Sequence, residues 1–513
     1  LRLRDRLGLK AVVLEAADGV GGTWYWNRYP GARCDSESHS YSYYFDDALL
    51  REWEWSERYP GHEEIRRYLN HVADRYRLRP DIRLNTRVRS ARYDEAANTW
   101  TVDTDTGERY TTHFLITAVG CLSSANIPDI PGLKDFAGRW YHTGEWPQDD
   151  VDFTGKRVGM VGTGSTGIQC APVIAQTAAH LTVFQRTANY SMPAHNGPLS
   201  DEFKHYVRDH AHEIREVIQS TTNGHPFRIS DRSAFDVTPE EREAIYEAAW
   251  EKGGLQFRAA FRDLLSDQAA NDTAADFIKA KIRRIVRDPV KAAILSDIDH
   301  PFAAKRPPID TDYFETFNRD NVSLVNLRET PIGAIVPEGI RTGDTLHRLD
   351  IIVFATGFDA LTGPLLRIGI EGRGGRRLAD AWKAGPRNYL GLQVPGFPNL
   401  FTITGPGSPS VLCNMPVAIE QHVDWITDCI DHMRRRGLSK VEPAERAADT
   451  WLDRVQAAAD ATLLPKAHHS WYLGANVPGK PRVFMPYAGG MAHYRKICEQ
   501  VAEGGYEGFE FSA

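Results

Sequence analysis

The sequence is short of the residues that would place it in several function classes. It has six cysteines, Cys34, Cys121, Cys170, Cys413, Cys429 and Cys498, and no two of them stand as C-x-x-C. A dithiol reductase needs that spacing, so its absence argues against one. No Cys/His set has zinc spacing, and no metal site is expected. Isolated thiols suit a reducing compartment, and a cytoplasmic location is expected. No apolar run approaches the ~20 residues that span a bilayer, and no signal-peptide pattern opens the chain. An excess of basic charge is also missing: the formal net charge is -7, which speaks against a nucleic-acid partner. Repeats and low-complexity tracts are absent. So is an initiating methionine; the opening "LRLRDRLGLK" reads as the later turns of a helix whose start lies outside the chain.

What is present is ordinary in bulk and specific in detail. The 513 residues, 42% hydrophobic and 25% charged, are enough for two or three globular domains. "LKAVVLEA" reads as a short buried strand ending at Glu15, and "FLITAVG" (Phe114 to Gly120) as another. "KRVGMVGTGSTGIQCAPVIAQ" reads as strand, glycine loop and helix, "HLTVFQRT" as the next strand, and "LDIIVFATGFDA" as a later one. Strands alternating with helices predict parallel βαβ units and an α/β fold. From about 199 to 303 the texture turns charged and alanine-rich, which predicts a helical insertion. There "TPEE" supplies Thr238 at a helix N-cap, Pro239 at the first turn and Glu241 three residues on.

"GTGSTG" spans Gly162, Thr163, Gly164, Ser165, Thr166 and Gly167 as G-x-G-x-x-G between a strand and a helix. The first glycine permits the turn, the second admits a pyrophosphate, and the third lets the helix pack on the strand. An NAD site would offer Asp or Glu at the end of the following strand. Here stand Arg186 and Thr187, and a cation suits a 2′-phosphate, so the expected coenzyme is NADPH. The first strand does end in an acidic residue, Glu15, which suits the ribose of FAD. Counting back one βαβ unit from it places a first glycine loop just before Leu1, so the chain is expected to be a fragment at its N-terminus.

Two further stretches are specific. "FAGRWYHTGEWP" sets Phe136, Gly138, His142 and Trp146 in F-x-G-x-x-x-H-x-x-x-W, and "GTWYWNRYPGARCD" runs from Gly22 to Asp35 as G-x-W-x-x-x-x-Y-P-G-x-x-x-D. Together with the glycine loop they resemble the flavin-dependent Baeyer–Villiger monooxygenases, nearest to the phenylacetone, steroid and cyclic-ketone branch. The resemblance implies two dinucleotide-binding, Rossmann-like domains with the first βαβ unit truncated. Residues 1–123 and 359–513 would form the FAD-binding domain, and 124–358 the NADP-binding domain with the insertion. It implies FAD and NADPH as cofactors, and oxygen from O2 inserted beside a ketone carbonyl through a flavin peroxide, giving an ester or lactone.

By resemblance Arg306 is the catalytic cation and Asp35 its partner. Lys305 joins Arg186 and Thr187 at the 2′-phosphate, and Trp471 covers the nicotinamide coenzyme. Glu15, Thr23, Trp24, Tyr25, Trp26, Asp35, Tyr41, Val88 and Met415 attend FAD. Phe136, Gly138, His142 and Trp146 form the linker between domains, with His142 expected to couple the domains rather than to move a proton. A salt bridge that only joins domains remains open for Asp35 and Arg306. An N- or S-oxygenating flavin monooxygenase, or an impaired fragment binding NADPH only, remains the alternative function. The implied small-molecule partners are a ketone and O2, with no membrane and no protein partner.

Overall fold

The computed structural model describes residues 1–513. Its central sheet is built from β1 (Arg139–His142), β2 (Arg157–Val161), β3 (His180–Gln185), β4 (Val322–Asn326) and β5 (Ile351–Phe354). The order is β4-β3-β2-β5-β1, with every neighbouring pair parallel. β2, β3 and β5 are buried almost throughout because helices or loops cover both faces, which is why they read as unbroken apolar runs rather than alternating ones. The glycine loop follows β2 and leads into α1 (Ser165–Thr177), whose Ile168, Cys170, Ala171 and Ile174 are fully enclosed.

The insertion is helical: Asp201–Asp209, Ala211–Ser220, Pro239–Lys252, Gln268–Ile285 and Pro289–Ser296. Its core is aromatic, with Tyr246, Trp250, Phe257, Phe261, Phe277 and Phe302 interlocked and continuous with the core under the central sheet. Thr238 caps Pro239–Lys252 by accepting from the Glu241 N–H at 3.2 Å. The Glu241 carboxylate does not return that bond; it accepts from Arg232 instead.

The other unit is assembled from both ends of the chain. Leu115–Thr117 pairs in parallel with Leu400–Thr402, and Val88–Asp94 with Gly369–Glu371. The helix α2 (Met415–Arg435) packs with Met491–Glu503 in a second large core.

One expectation needs correction, and two features add to the picture. The opening strand is only Val13–Leu14, pairing with Ile82–Arg83 alone, and Val12 and Val13 are exposed at 39% and 51%. With a single pairing edge, its apolar residues are not enclosed. Two antiparallel units escaped the α/β pattern: the hairpins Val88–Asp94, Thr99–Thr104 and Arg109–Thr112, and the meander Ile332–Val336, Gly339–Thr342 and Thr345–Arg348. Their exposed faces break up the apolar runs that mark buried strands. The opening helical segment is a single turn of π type, Arg2–Arg6.

Candidate active and cofactor site

The three glycines of the 162–167 loop differ in what constrains them. Gly162 has φ +113°, and a Cβ there would lie 2.4 Å from the Ala355 carbonyl oxygen. A Cβ on Gly167 would lie 2.2 Å from the Gly162 oxygen, so helix and loop pack with no room between them. Gly164 meets nothing within 4 Å, and it stands at the N-cap of α1 with no side chain capping the helix. Open space above uncapped N–H groups is a fit for a pyrophosphate. Thr163 holds the loop to the next strand by donating to the Thr187 carbonyl at 2.8 Å.

At the end of that strand cations gather. Arg186 is exposed. Lys305 is pushed down to about 8, first by burial and then by Arg186 and Arg328, against the pull of Asp299. His469 is lowered by burial and by the same Arg186 and Lys305. Arg328, which donates to the Arg186 carbonyl at 3.0 Å, is the one member tied to carboxylates, Asp297 and Asp299. A crowd of cations short of counter-ions fits a 2′-phosphate. Arg328 and His469 were invisible in the sequence because each lies far along the chain from the glycine loop.

The second aromatic stretch docks on α1. Tyr29 donates to Gln169 Oε1 at 2.8 Å, and Gln169 Nε2 donates to the Arg33 carbonyl at 3.1 Å. Gly31, at φ +82°, sits so close that a Cβ would lie 2.4 Å from the Gln169 carbonyl oxygen. The Y-P-G-x-x-x-D spacing therefore presses one loop against the coenzyme helix and delivers Asp35 beyond it. Gln169 had no motif to announce it.

Asp35 meets Arg306 there. Arg306 Nε donates to Asp35 Oδ2 at 3.1 Å, and Nη1 donates to the Val411 carbonyl at 3.1 Å. Burial raises the Asp35 carboxyl against the opposing pull of Arg306. For Arg306, burial opposes the charge, but Asp35, Tyr472 and Cys34 outweigh it and the net shift is upward. The pair is not sealed in: side-chain exposure is 25% for Arg306 and 10% for Asp35. An arginine in such a place stays charged at any working pH.

The residues expected to hold FAD are spread over several segments. Trp24 donates from Nε1 to the Tyr41 hydroxyl at 3.0 Å, with the rings edge to face. Tyr25 donates to Asp18, and Trp26 packs edge-on against Tyr25. Thr23 opens this short turn behind Gly22, which has open space around it. Glu15 accepts from the Ala17 N–H at 2.8 Å. Asn414 donates to the Ser40 carbonyl at 2.6 Å, while its Oδ1 is buried without a partner. It stands at the N-cap of α2 without capping it, and half-buried Met415 begins the helix. An orphaned acceptor beside uncapped N–H groups fits a polar heteroaromatic edge. Val88 packs in the cluster that includes Leu14 and Leu400. Trp471 is half-buried against Tyr472, ring centroids 4.5 Å apart.

The residues of the F-x-G-x-x-x-H-x-x-x-W stretch are packing residues. Phe136 and Trp146 are buried, Trp146 against Tyr141 and Phe153. A Cβ on Gly138 would lie 2.3 Å from the Asp350 oxygen, and one on Gly144 would lie 2.5 Å from the Phe358 ring. His142 Nδ1 accepts from the Gly144 N–H at 3.1 Å, and burial lowers the ring to about 4, so it is neutral. Its Nε2 is buried without a partner. A separate cavity of about 150 Å³, with Trp451, Val483, Phe484 and Met485 in its wall, shares no residue with these sites.

The family model described as "Pyridine nucleotide-disulphide oxidoreductase" matches residues 6–245. The chain is 44% identical to the 2-oxo-Δ3-4,5,5-trimethylcyclopentenylacetyl-CoA monooxygenase of Pseudomonas putida, covering 99% of this chain and 95% of that one. It is also 44% identical to a Baeyer–Villiger monooxygenase of Pseudooceanicola batsensis, covering 98% and 92%. A solved structure described as oxidized steroid monooxygenase bound to NADP superposes with a TM-score of 0.95 at 51% identity, over 100% of this chain and 96% of that one.

Proposed function

The chain belongs to the Baeyer–Villiger monooxygenases, and from that premise we propose how its own residues serve the reaction. It is an NADPH-dependent flavoprotein that inserts one oxygen atom of O2 beside a ketone carbonyl and yields an ester or lactone. Bound FAD and NADPH supply the electron transfer and the dioxygen chemistry. The protein supplies binding, orientation and charge.

NADPH is held with its pyrophosphate at the open end of α1, along Gly162 to Gly167, and its 2′-phosphate between Arg186, Thr187 and Lys305. Trp471 covers it. FAD is held by Glu15 at a ribose, by Thr23 to Trp26 near the pyrophosphate, and by Asp35, Tyr41, Val88 and Met415 nearer the ring. Arg306 faces the reacting carbonyl, where negative charge develops on oxygen as the ketone is attacked. A fixed, preoriented cation stabilises that charge far better than water would. Asp35 aims the guanidinium and balances its charge. Phe136, Gly138, His142 and Trp146 join the domain 124–358 to the two-part domain 1–123 and 359–513. A neutral His142 with one nitrogen already accepting from Gly144 supports coupling rather than proton transfer.

The observation that carries this assignment is the Arg306–Asp35 pair standing where the flavin-side loop meets the coenzyme helix. The reaction requires a ketone, O2 and NADPH, and no protein partner. No helix is long and apolar enough to cross a membrane, and six buried unpaired cysteines support a reducing, cytoplasmic setting. The test is product analysis with FAD, NADPH and matched ketone and thioether substrates. Ester from the ketone is expected; sulfoxide alone, or hydrogen peroxide with neither product, would overturn the reading.

A further inference from the structure

Arg258 is a half-buried charge that the mechanism leaves unused. It lies in the 3-10 segment Gly254–Ala259 of the insertion. Its Nη2 is closed to solvent and has no hydrogen-bond partner. No carboxylate pairs with it: the charged and ionisable groups that act on it are Arg306, another cation, and the Tyr472 phenol. Burial first, and Arg306 second, press it down to about 10. His225, buried and stacked on Phe227, is held neutral by burial and feels both guanidinium groups. Arg306 has a carboxylate partner, Asp35, whereas Arg258 has none. An N–H donor enclosed without an acceptor is costly, and a charged one more so. Such a group is accounted for when a ligand supplies the acceptor.

The anion could belong to the coenzyme or to the molecule being oxidised. The charge neighbourhoods separate these. Lys305 responds to Arg186 and Arg328, and His469 to Arg186 and Lys305, forming one basic group beside the glycine loop in which His469 is held neutral. Arg258 acts on neither Lys305 nor His469, and none of that group acts on it. Its own partners are the residues at the reaction centre. His225 and Leu255 also border a small cavity, room for about one water, whose wall includes Asp35 and Tyr59.

We propose that Arg258 is a specificity-determining residue that binds a carboxylate carried by the substrate, so that this enzyme prefers keto acids to neutral ketones. The assignment rests on the oxygen-insertion reading of the same site. A charge-assisted guanidinium–carboxylate bond gives the selectivity its size.

The test uses the FAD-loaded full chain with methyl-keto acids from 4-oxopentanoate to 7-oxooctanoate, each beside its uncharged primary amide. The best acid should exceed its amide in kcat/KM by about 10- to 100-fold. Arg258→Leu should bring that ratio to about one, and Arg258→Lys should restore part of it. Calorimetric binding of the acids to the NADP⁺-bound enzyme reads the same preference without turnover. Equal use of acid and amide by the unaltered enzyme would overturn the proposal without any variant being made. So would equal losses on both substrates in Arg258→Leu, which would mark a packing role, or a raised KM for NADPH, which would assign the anion to the coenzyme. Tight acid binding that Arg258→Leu abolishes, with no ester from any ketone, would sink the oxygen-insertion reading and leave the anion site standing.

Discussion

At the scale of single residues, Arg306 and Lys305 are neighbours in sequence with different electrical tasks, and pH separates them. Lys305 sits at about 8 in the free protein, so it is charged below that pH and neutral above it. Only the charged form attracts the 2′-phosphate. Raising the pH from 7 to 9 should therefore raise KM for NADPH, by at most about tenfold for each unit above the free-enzyme value. KM for NADH should hardly move, and Lys305→Arg should flatten the profile, because a guanidinium keeps its proton. A flat profile in the unaltered enzyme would remove Lys305 from the grip. Arg306→Ala should leave NADPH oxidation in place, measured by stopped flow, but cut ester formation by about 10²–10³, with hydrogen peroxide as the product. Ester at near the original rate would put the catalytic cation elsewhere. Of these residues, Arg186 was legible because a strand end after a glycine loop is a fixed address. Arg258 was not: in "LQFRAAFRD" it looks like any charge on a helical surface, and only the fold reveals that no carboxylate reaches it.

At the scale of elements, the loop Tyr29 to Asp35 and the helix α1 touch through the Gln169 side chain and, at Gly31, through backbone. Gly31→Ala would add a Cβ 2.4 Å from a helix carbonyl at a backbone angle, φ +82°, that alanine avoids. It should lower stability by about 1–2 kcal/mol from the backbone angle alone, more from the clash, and should divert NADPH oxidation toward peroxide by displacing Asp35. Gly107→Ala is the control: its φ is +84° but its Cβ would meet nothing within 4 Å. Equal urea midpoints and equal coupling in the two variants would mean that the loop–helix contact does nothing beyond its local strain. The glycine loop and both aromatic stretches were readable in the sequence, since a turn or close approach restricts which residues can stand there. The antiparallel hairpins and the meander were not, because half-exposed strands lack unbroken apolar runs. The opening strand misled for the opposite reason: its apolar run looked buried, yet one pairing edge leaves it uncovered.

At the scale of the molecule, the central sheet draws all its strands from 139–354, whereas the flavin-side unit pairs strands from both ends of the chain, and the residues proposed to hold FAD lie near 15, 35, 88 and 415. A ligand that touches all four stitches distant segments and stabilises only their assembled form. Adding FAD at about 100-fold over its dissociation constant should stabilise the fold by about 2.7 kcal/mol, seen as a concentration-dependent rise in melting temperature. Hydrogen exchange should slow most at Leu115–Thr117 and Leu400–Thr402, and least in the central sheet. A uniform slowing would contradict the division of the chain described above.

The helical insertion has a consequence for descent. It holds Arg258, while Arg186, Thr187 and Lys305, the residues proposed for the 2′-phosphate, all lie outside it. Selection working on residues 199–303 can thus alter what a lineage consumes without altering where its electrons come from. Daughter genes of one ancestor are free to part company in diet while drawing on a common reductant.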